Sequence, residues 1–410
     1  MPQLDAQDRN RVVVVGAGPV GAVVSLALCQ RGFPVTLIEA EPGPVEDQRA
    51  ATVHPPTVEM LVGLGLKDAA WASGLLSPIF HYRDRVTDDL VAIFDVGVLE
   101  GEVPYPFVLQ WEQYKLVLAA LDKAKETGLL ETRFSTKLIG FSQDADHVTL
   151  QVEVDGEATT MSAAWLIGAD GGRSTVRKMA DIDFEGFTWP ERFIKIGTTH
   201  NFLESGRGYC TRNYFSDPDE WLNLFKVKGP GEPGIWRGIF PVPPEEPDEI
   251  ALSDEGIQRR LQKFLPKTGD FAIAYHALYK VHQRVAASFN QGRVLLVGDA
   301  AHVNNPIGGM GMNGGIHDAM NLAEKLDAIR TGAADMDVLD RYTRQRRSAQ
   351  IDFVQAQSVA NKKALSERDP VKRKEHLNGL RRISENLELH KKFLYRSSLI
   401  DSLNTASAVL

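Results

Sequence analysis

The sequence of 410 residues has only two cysteines, Cys29 and Cys210, and they lie far apart. This spacing excludes a disulfide framework, a C-x-x-C redox pair and a cysteine zinc site. The chain also lacks low-complexity tracts and obvious internal repeats. A net charge of −8 gives no electrostatic reason to expect nucleic acid or an anionic membrane as a partner. We therefore expect a globular protein in a reducing, cytoplasmic setting.

Charged residues are also missing from Val12 to Cys29, a stretch that follows Arg9 and Arg11 like the body of a signal sequence or membrane anchor. Glycines and a proline divide this stretch into a short β-branched strand and the helical run Val20 to Cys29. That run is too short to span a bilayer. A folded motif is therefore the better interpretation.

The N-terminal segment predicts a β-α-β unit. Val12 to Val15 read as a strand buried on both faces, Val20 to Leu28 as a helix that ends at Gly32, and Val35 to Ile38 as a second strand. A G-x-G-x-x-G turn joins the first strand to the helix, and Glu39 ends the second strand, eighteen residues after the third glycine (39 − 21). The first glycine permits the turn, the second admits a pyrophosphate, and the third lets the helix pack on the strand. We predict a dinucleotide site at Gly16, Gly18, Pro19, Val20, Gly21, Glu39 and Ala40, without a choice between FAD and NAD.

The length predicts two or three folded parts. The segment beyond Arg177, to about Ser288, is rich in aromatics and contains alternating stretches, which predicts a largely antiparallel second sheet. Pro241 to Pro247 are predicted to form a loop, because proline cannot donate to a strand ladder. From Gly314 onward the chain is predicted to be mostly helical.

Two motifs far along the chain from the N-terminal turn distinguish FAD from NAD. The first runs Gly168-Ala-Asp-Gly-Gly-Arg-Ser-Thr-Val-Arg177, and the second runs Gly298-Asp-Ala-Ala-His302 with a downstream proline and glycines. With the N-terminal turn, and in this order, they resemble the signatures of class A flavoprotein monooxygenases, the group of para-hydroxybenzoate hydroxylase and phenol hydroxylase. The resemblance covers residues 11 to about 327.

The resemblance implies an α/β fold with a glutathione-reductase-like, Rossmann-type FAD-binding domain around a parallel sheet. A substrate domain with a largely antiparallel sheet and C-terminal helices would complete it. The implied division assigns residues 1–75, 105–180 and 285–340 to the FAD-binding domain, 76–104 and 181–284 to the substrate domain, and 341–410 to a helical segment.

Several residues acquire cofactor roles through the resemblance. Arg49 would lie near the pyrophosphate, Gln110 at the flavin side chain, and Asp299 at the ribityl chain. Asp170 would support both the FAD region and a passing nicotinamide cofactor, although a turn carboxylate bonded to local backbone is the simpler interpretation. The loop and helix start that would face the flavin ring comprise Pro306, Gly309, Gly311, Met312 and Asn313.

That loop spells a second G-x-G-x-x-G from Gly309 to Gly314, but no strand leads directly into it. We interpret it as the flavin-ring loop, so that NAD(P)H would bind transiently without a domain of its own. The loop departs from the family in one place, because Asn305-Pro306 replaces the usual Pro-Pro pair. This change puts in doubt the stiffness of the loop and any proton relay through it.

The implied chemistry is hydroxylation of a phenolic or hydroxy-heteroaromatic small molecule with NAD(P)H and O2, through a C4a-hydroperoxide of tightly but non-covalently bound FAD. No metal is expected, and a monomer or a homodimer is equally compatible. Arg212 and Tyr214 rank first as a carboxylate clamp and a phenol partner, and Pro306 is the third catalytic candidate. Other substrate-contact candidates are His81, Tyr82, Arg83, Arg85, His200, Tyr209, Trp221 and Trp236.

Three alternatives use the same scaffold. A flavin halogenase would be expected to carry a W-x-W segment, and no two tryptophans are two apart. A flavin-disulfide reductase needs a close cysteine pair, which is absent. A non-catalytic flavin-scaffold binding protein remains open, and loss of flavin from well-folded protein would favour it.

Overall fold

The computed structural model describes residues 10–46 and 48–410, so residues 1–9 of the predicted first domain, and Asp47, lie outside the described part. Its strands are β1 Val12–Val15, β2 Val35–Ile38, β3 Thr52–Val53, β4 Leu75–Ser77, β5 Ile79–Asp84, β6 Leu90–Asp95, β7 Val108–Gln110, β8 Leu130–Arg133, β9 Thr136–Gln143, β10 Val148–Val154, β11 Glu157–Ala163, β12 Trp165–Gly168, β13 Phe184–Thr198, β14 Arg212–Ser216, β15 Leu222–Val227, β16 Ile235–Val242, β17 Ile273–Ala286, β18 Asn290–Gln291, β19 Val294–Leu296 and β20 His302–Val303. Its helices are α1 Pro19–Gln30, α2 Pro55–Gly63, α3 Lys67–Ser73, α4 Gln113–Lys125, α5 Thr175–Met179, α6 Asp248–Leu252, α7 Asp254–Phe264, α8 Gly311–Thr331, α9 Val338–Ser348, α10 Ala356–Leu365, α11 Pro370–Glu385, α12 Leu387–Ser397 and α13 Ile400–Ser407.

A mixed but mainly parallel sheet carries the N-terminal motif. Its order is β18-β19-β12-β1-β2-β8, and β1 pairs in parallel with both β2 and β12. The four valines of β1 are buried, as expected for a strand covered on both faces. Helix α1 packs beside α4 and α8 and is buried from Val20 to Cys29. The predicted β-α-β unit is therefore present.

The second sheet is large and almost entirely antiparallel. Its order is β20-β17-β13-β16-β15-β14-β5-β6, and β14 with β5 is the parallel pair. The prediction of a loop from Pro241 was wrong at its start, because β16 continues to Val242 and Pro241 pairs with Phe193. Proline is tolerated there because β15 pairs with β16 no further than Ile239, so that Pro241 has a neighbour on one side only.

Two small sheets complete the strands. One is the three-stranded sheet β3-β7-β4, in which Thr52 of β3 lies opposite Gln110 of β7. The other consists of β9, β10 and β11, with the predicted strand Val148–Val154 at its centre.

The C-terminal helices pack onto the rest of the chain. Helix α9 continues through a π-helical segment, Ala349–Gln355, into α10. Helix α11 is tied to β5 by the Arg373–Asp84 ion pair, at 2.5 Å, and the Tyr395 hydroxyl of α12 donates to Glu102 at 2.6 Å. The predicted α/β class with a parallel sheet, a largely antiparallel sheet and C-terminal helices is confirmed. Its domain boundaries stay a prediction. No helix within residues 10–46 and 48–410 is long and apolar enough to cross a membrane.

Candidate active site

The glycine turn after β1 leaves the first helix uncapped. Gly16 has φ +105°, and a Cβ there would lie 2.6 Å from the carbonyl oxygen of Ala169, so only glycine fits. Helix α1 begins at Pro19 with Gly18 as its N-cap, without a side-chain cap or an acidic residue in its first turn. A Cβ on Gly18 would meet nothing within 4 Å. The first turn of α1 thus has no side-chain cap, and its N–H groups are the kind of donors that an anion site uses.

Glu39 braces this turn. It follows β2, and its carboxylate accepts hydrogen bonds from the Ala17 N–H at 2.8 Å and from the Glu41 N–H at 3.0 Å. Ala40 beside it is exposed. The carboxylate lies where the strand ends next to the glycine turn, so that its remaining lone pairs can accept from hydroxyl groups of a ligand.

The three distant motifs meet at the start of α1. Gly16 contacts the end of β12, and a Cβ on Gly298 or on Gly315 would lie within 2.9 Å or 2.5 Å of the Val20 side chain. The ends of β12 and β19 and the beginning of α8 are thus packed around one helix terminus.

Asp170 is committed to the local backbone. Its carboxylate accepts from the Ser174 hydroxyl at 2.6 Å and from the N–H groups of Thr175 and Val176 at 2.6 and 3.1 Å. These bonds cap α5, which is the simpler of the two roles considered for it. A cofactor role for Asp170 stays a prediction.

Three other predicted cofactor residues lie in different environments. Arg49 and Asp299 are exposed. Gln110 is fully buried, and its amide lies 3.3–3.4 Å from the Thr52 hydroxyl. Gln110 lies on the central strand of the small sheet β3-β7-β4. The cofactor roles of all three residues stay predictions.

Asn313 holds the segment of residues 302–314 against β3. This segment, called the 302–314 loop below, comprises β20, the loop of residues 304–310 and the first turn of α8. Its amide donates to the carbonyl oxygens of Thr52 and Gly309 at 2.8 and 2.6 Å, and its Oδ1 accepts from the His54 N–H at 2.9 Å. Gly309 has φ +66° and lies against the Thr52 side chain. Helix α8 then starts at Gly311 without a side-chain cap, and Met312 in its first turn is buried. The start of α8 is thus the second helix start of the site that has no side-chain cap.

The Asn305-Pro306 pair is stiffened by hydrogen bonds. Asn305 is buried, its N–H donates to Gln283 at 3.1 Å, and its Oδ1 accepts from the Ile307 N–H at 3.1 Å. The Pro306 carbonyl accepts from the Gly309 N–H at 3.0 Å. The residue that replaces the first proline thus restrains the loop in another way, and the second proline's carbonyl closes a turn.

A cavity adjoins this loop and contains Arg212 and Tyr214. Its atom-free space is about 450 Å³, which includes open solvent. Arg212 is 2% exposed, donates to the Tyr214 hydroxyl at 3.3 Å and lies over the Phe80 ring. Among the described residues, its Nε and Nη1 have no hydrogen-bond partner. The lining residues are His54, Phe80, Tyr82, Val96, Val108, Arg212, Tyr214, Gly308, Met310, Asn361, Phe393, Ser397 and Ser398.

Most of the other substrate candidates lie outside this cavity. Arg83 donates to three backbone carbonyls, and Arg85 pairs with Glu220 at 2.8 Å. The remaining ones pack in the sheet or its hydrophobic cores, namely His81, His200, Tyr209, Trp221 and Trp236. Tyr82 does line the cavity, where its ring stacks on Tyr214 at 5.1 Å.

Sequence reasoning missed one polar residue near the loop and the whole C-terminal wall. His54 lines the cavity from the start of α2, and Asn361, Phe393 and Ser397 line it from α10 and α12. No motif marks these positions. The one available signal for His54 was its closeness in sequence to Arg49.

The chain fits FAD on structural grounds. The starts of α1 and α8 both lack a side-chain cap, Gly298 and Gly315 pack against Val20 in the first turn of α1, and a Cβ on Gly18 would meet nothing within 4 Å. A profile of the family described as FAD binding domain matches residues 9–357.

The chain is also similar to characterised enzymes. It is 34% identical over 369 residues to para-nitrophenol 4-monooxygenase of Pseudomonas sp. (strain WBC-3), which covers 88% of this chain and 89% of that protein. It is 31% identical over 386 residues to 6-hydroxy-3-succinoylpyridine 3-monooxygenase of Pseudomonas putida (strain DSM 28022 / S16), with 93% and 95% covered. The crystal structure of p-nitrophenol 4-monooxygenase from Pseudomonas putida DLL-E4 superposes with a TM-score of 0.89 at 31% identity, over 96% of this chain and 98% of that one.

The fold and the site thus define a flavin-dependent aromatic monooxygenase with FAD as its cofactor. The chain belongs to the FAD-binding family of class A flavoprotein monooxygenases, and the resemblance drawn from the motifs is confirmed.

Proposed function

We propose that the enzyme uses NAD(P)H and O2 to hydroxylate the ring of a phenolic or hydroxy-heteroaromatic small molecule. The names of the two relatives above refer to a nitrophenol and a hydroxypyridine, which supports this substrate class. The single observation that carries the proposal is the Arg212 guanidinium, buried in a cavity beside the 302–314 loop.

A buried cation is costly unless an anion or several acceptors surround it. Of the described residues that line the cavity, none carries a carboxylate. The Nε and Nη1 atoms of Arg212 can therefore donate to a bound ligand, and an ionised phenol or a substrate carboxylate would be a suitable acceptor. Phe80, Tyr82 and Phe393 provide apolar walls for an aromatic ring.

The cofactor contacts follow from the two uncapped helix starts. The N–H groups of α1, with Arg49, would hold the pyrophosphate, and Glu39 would accept from the adenosine ribose. Asp299 would bind the ribityl hydroxyls. The chemistry that bound FAD supplies is acceptance of a hydride from NAD(P)H and activation of O2.

The loop and α8 would complete the flavin site. N–H groups at Gly311, Met312 and Asn313 would stabilise negative charge on the pyrimidine ring, as helix starts do for anions. Gln110 would contact the flavin side chain. The Pro306 carbonyl is turned towards the Gly309 N–H, so we assign it a structural part in the loop. The apolar walls of the cavity would orient the substrate ring beside the loop, and a bound ring would displace water from it.

The test follows oxidation of NADH and NADPH by the flavin-loaded enzyme with a panel of phenols and hydroxypyridines, and measures hydroxylated product and peroxide together. We expect at least one compound to accelerate NAD(P)H oxidation and to yield product in near-stoichiometric amount. Aniline and benzene derivatives without a hydroxyl serve as controls. Absence of stimulation and of product across the panel would refute the proposal.

A further inference from the structure

His54 caps α2 and is held by the 302–314 loop. Its backbone N–H donates to Asn313 Oδ1 at 2.9 Å, and its ring Nε2 lies 3.0 Å from the Gly308 carbonyl oxygen. A carbonyl oxygen only accepts hydrogen bonds, so Nε2 carries the proton. In the neutral ring Nδ1 is then an acceptor, and within the described part of the chain this buried atom has no partner.

The surroundings keep this imidazole uncharged. Burial in the first place, and then the Arg212 guanidinium, lower the pKa of His54 to about 4. The other titratable groups that face it are Tyr82 and Tyr214 in the cavity and His317 on α8. His317 is itself a buried imidazole whose pKa burial lowers, so it adds no positive charge at neutral pH.

We propose that Nδ1 of His54 accepts the hydroxyl proton of the bound substrate while Arg212 holds the resulting phenolate. This inference rests on the proposed function and names the proton acceptor of that site. The substrate O–H bond breaks, its electron pair stays on the oxygen, and the proton forms an N–H bond at Nδ1. The imidazolium and the guanidinium then flank the phenolate. Its negative charge stabilises both neighbouring cations in the cavity.

No other lining side chain fits this task as well. Burial raises the pKa of Tyr82, which therefore stays a hydroxyl, and the Tyr214 oxygen already accepts from Arg212. The amide of Asn361 and the hydroxyls of Ser397 and Ser398 do not take up a proton at neutral pH. Because Nε2 is anchored on Gly308, the acceptor nitrogen also has a fixed position relative to the loop.

His54→Asn is the decisive variant. The backbone bond to Asn313 is unaffected and no basic nitrogen remains, although the shorter amide does not reproduce the Nε2 bond to the Gly308 carbonyl. His54→Gln is the second variant, because a glutamine amide nitrogen lies as many bonds from Cα as the imidazole Nε2 and can still donate to the Gly308 carbonyl. His200→Asn is the matched control, because it removes an imidazole with a lowered pKa that packs on Phe202 and Phe271, outside the cavity.

The first readout is the ionisation of bound p-nitrophenol, whose phenolate absorbs in the visible. At a pH one unit below the pKa of the free phenol, about a tenth of the free compound is ionised. We expect most of it to be ionised on the wild-type enzyme, nearly independently of pH, because the proton stays in the complex on His54. In His54→Asn the ionised fraction should fall about fivefold and should follow pH.

The second readout is turnover. Loss of the proton acceptor should lower kcat about 100-fold near neutral pH and much less at high pH, where the substrate arrives ionised. Suppose that the wild-type enzyme hydroxylates phenols. If His54→Asn then shows the same fraction of bound phenolate and the same pH profile as the wild type, the role of His54 is overturned and the proposed function stays intact. A wild-type enzyme that neither binds nor hydroxylates any phenol would overturn the proposed function itself.

Discussion

Replacing Asp318 with asparagine should break a buried charge cluster beneath the site. Asp318, on α8, is fully buried, and one of its oxygens accepts from the Gly298 N–H at 3.1 Å and lies 2.6 Å from His302 Nε2. Its other oxygen accepts from Arg346 Nε, on α9, at 2.6 Å. The carboxylate thereby joins the Gly298 turn to two helices. Burial would raise its pKa, but the interactions with His302 and Arg346 outweigh this effect and hold the pKa below its usual range.

The expected loss follows from what remains after the substitution. The asparagine side chain would keep the volume but leave the Arg346 guanidinium, 1% exposed, without its counter-charge. Removal of one member of a buried ion pair typically costs about 3–5 kcal/mol, a large part of a total stability of roughly 5–15 kcal/mol. A further Arg346→Met change should recover part of the loss, because it removes the orphaned charge.

Urea unfolding with a parallel measurement of bound flavin checks this prediction. Asp327→Asn, on the same helix, is the control, because its pair with Arg330 is about one third exposed on each side. Such a surface pair contributes about 0–1 kcal/mol. A loss for Asp318→Asn no larger than for the control, with wild-type flavin content, would refute the reasoning.

Three further outcomes are expected. Gly16→Ala should abolish FAD retention, because the new Cβ would lie 2.6 Å from the Ala169 carbonyl oxygen; flavin absorbance of the purified protein measures this, and a wild-type flavin ratio would contradict it. Arg212→Met should raise KM for p-nitrophenol by about 10–100-fold with unchanged flavin content, since a charge-assisted hydrogen bond contributes about 1.5–3 kcal/mol; an unchanged KM would exclude Arg212 from binding. Because the pKa of His54 falls from 6.5 to about 4 on folding, the unfolded chain takes up the proton first. The free energy of unfolding should therefore drop by about 3 kcal/mol as pH falls from about 6.5 to about 4, and urea midpoints should depend less steeply on pH in His54→Asn.

The sequence was informative where local geometry dictates the residue. The turn at Gly16 and the close approach of Gly298 to Val20 leave no room for a side chain, so these motifs could be recognised before the fold was known. The valines of β1 likewise predict a strand that is buried on both faces. Arg212 and Tyr214, ranked highest among the substrate candidates, do line the cavity.

Long-range packing explains the rest. His54 becomes a cavity residue because Asn313 and Gly308, more than 250 positions away, hold it, and no local pattern encodes that contact. Pro241 was assigned to a loop because proline cannot donate to a strand ladder. That it has a pairing partner on one side only is set by the sheet order, which the local sequence does not encode. The hydrogen bonds that stiffen Asn305 likewise depend on Gln283 in a distant strand.

Transfer of one oxygen atom from O2 to an aromatic ring is the central claim, and isotope labelling tests it most directly. The FAD-loaded enzyme would be supplied with NAD(P)H, p-nitrophenol and heavy-isotope O2, and the product analysed by mass spectrometry. We predict that the product carries one labelled oxygen atom for each NAD(P)H consumed. Product without label, or NAD(P)H oxidation that gives peroxide alone with every phenol tested, would contradict the account.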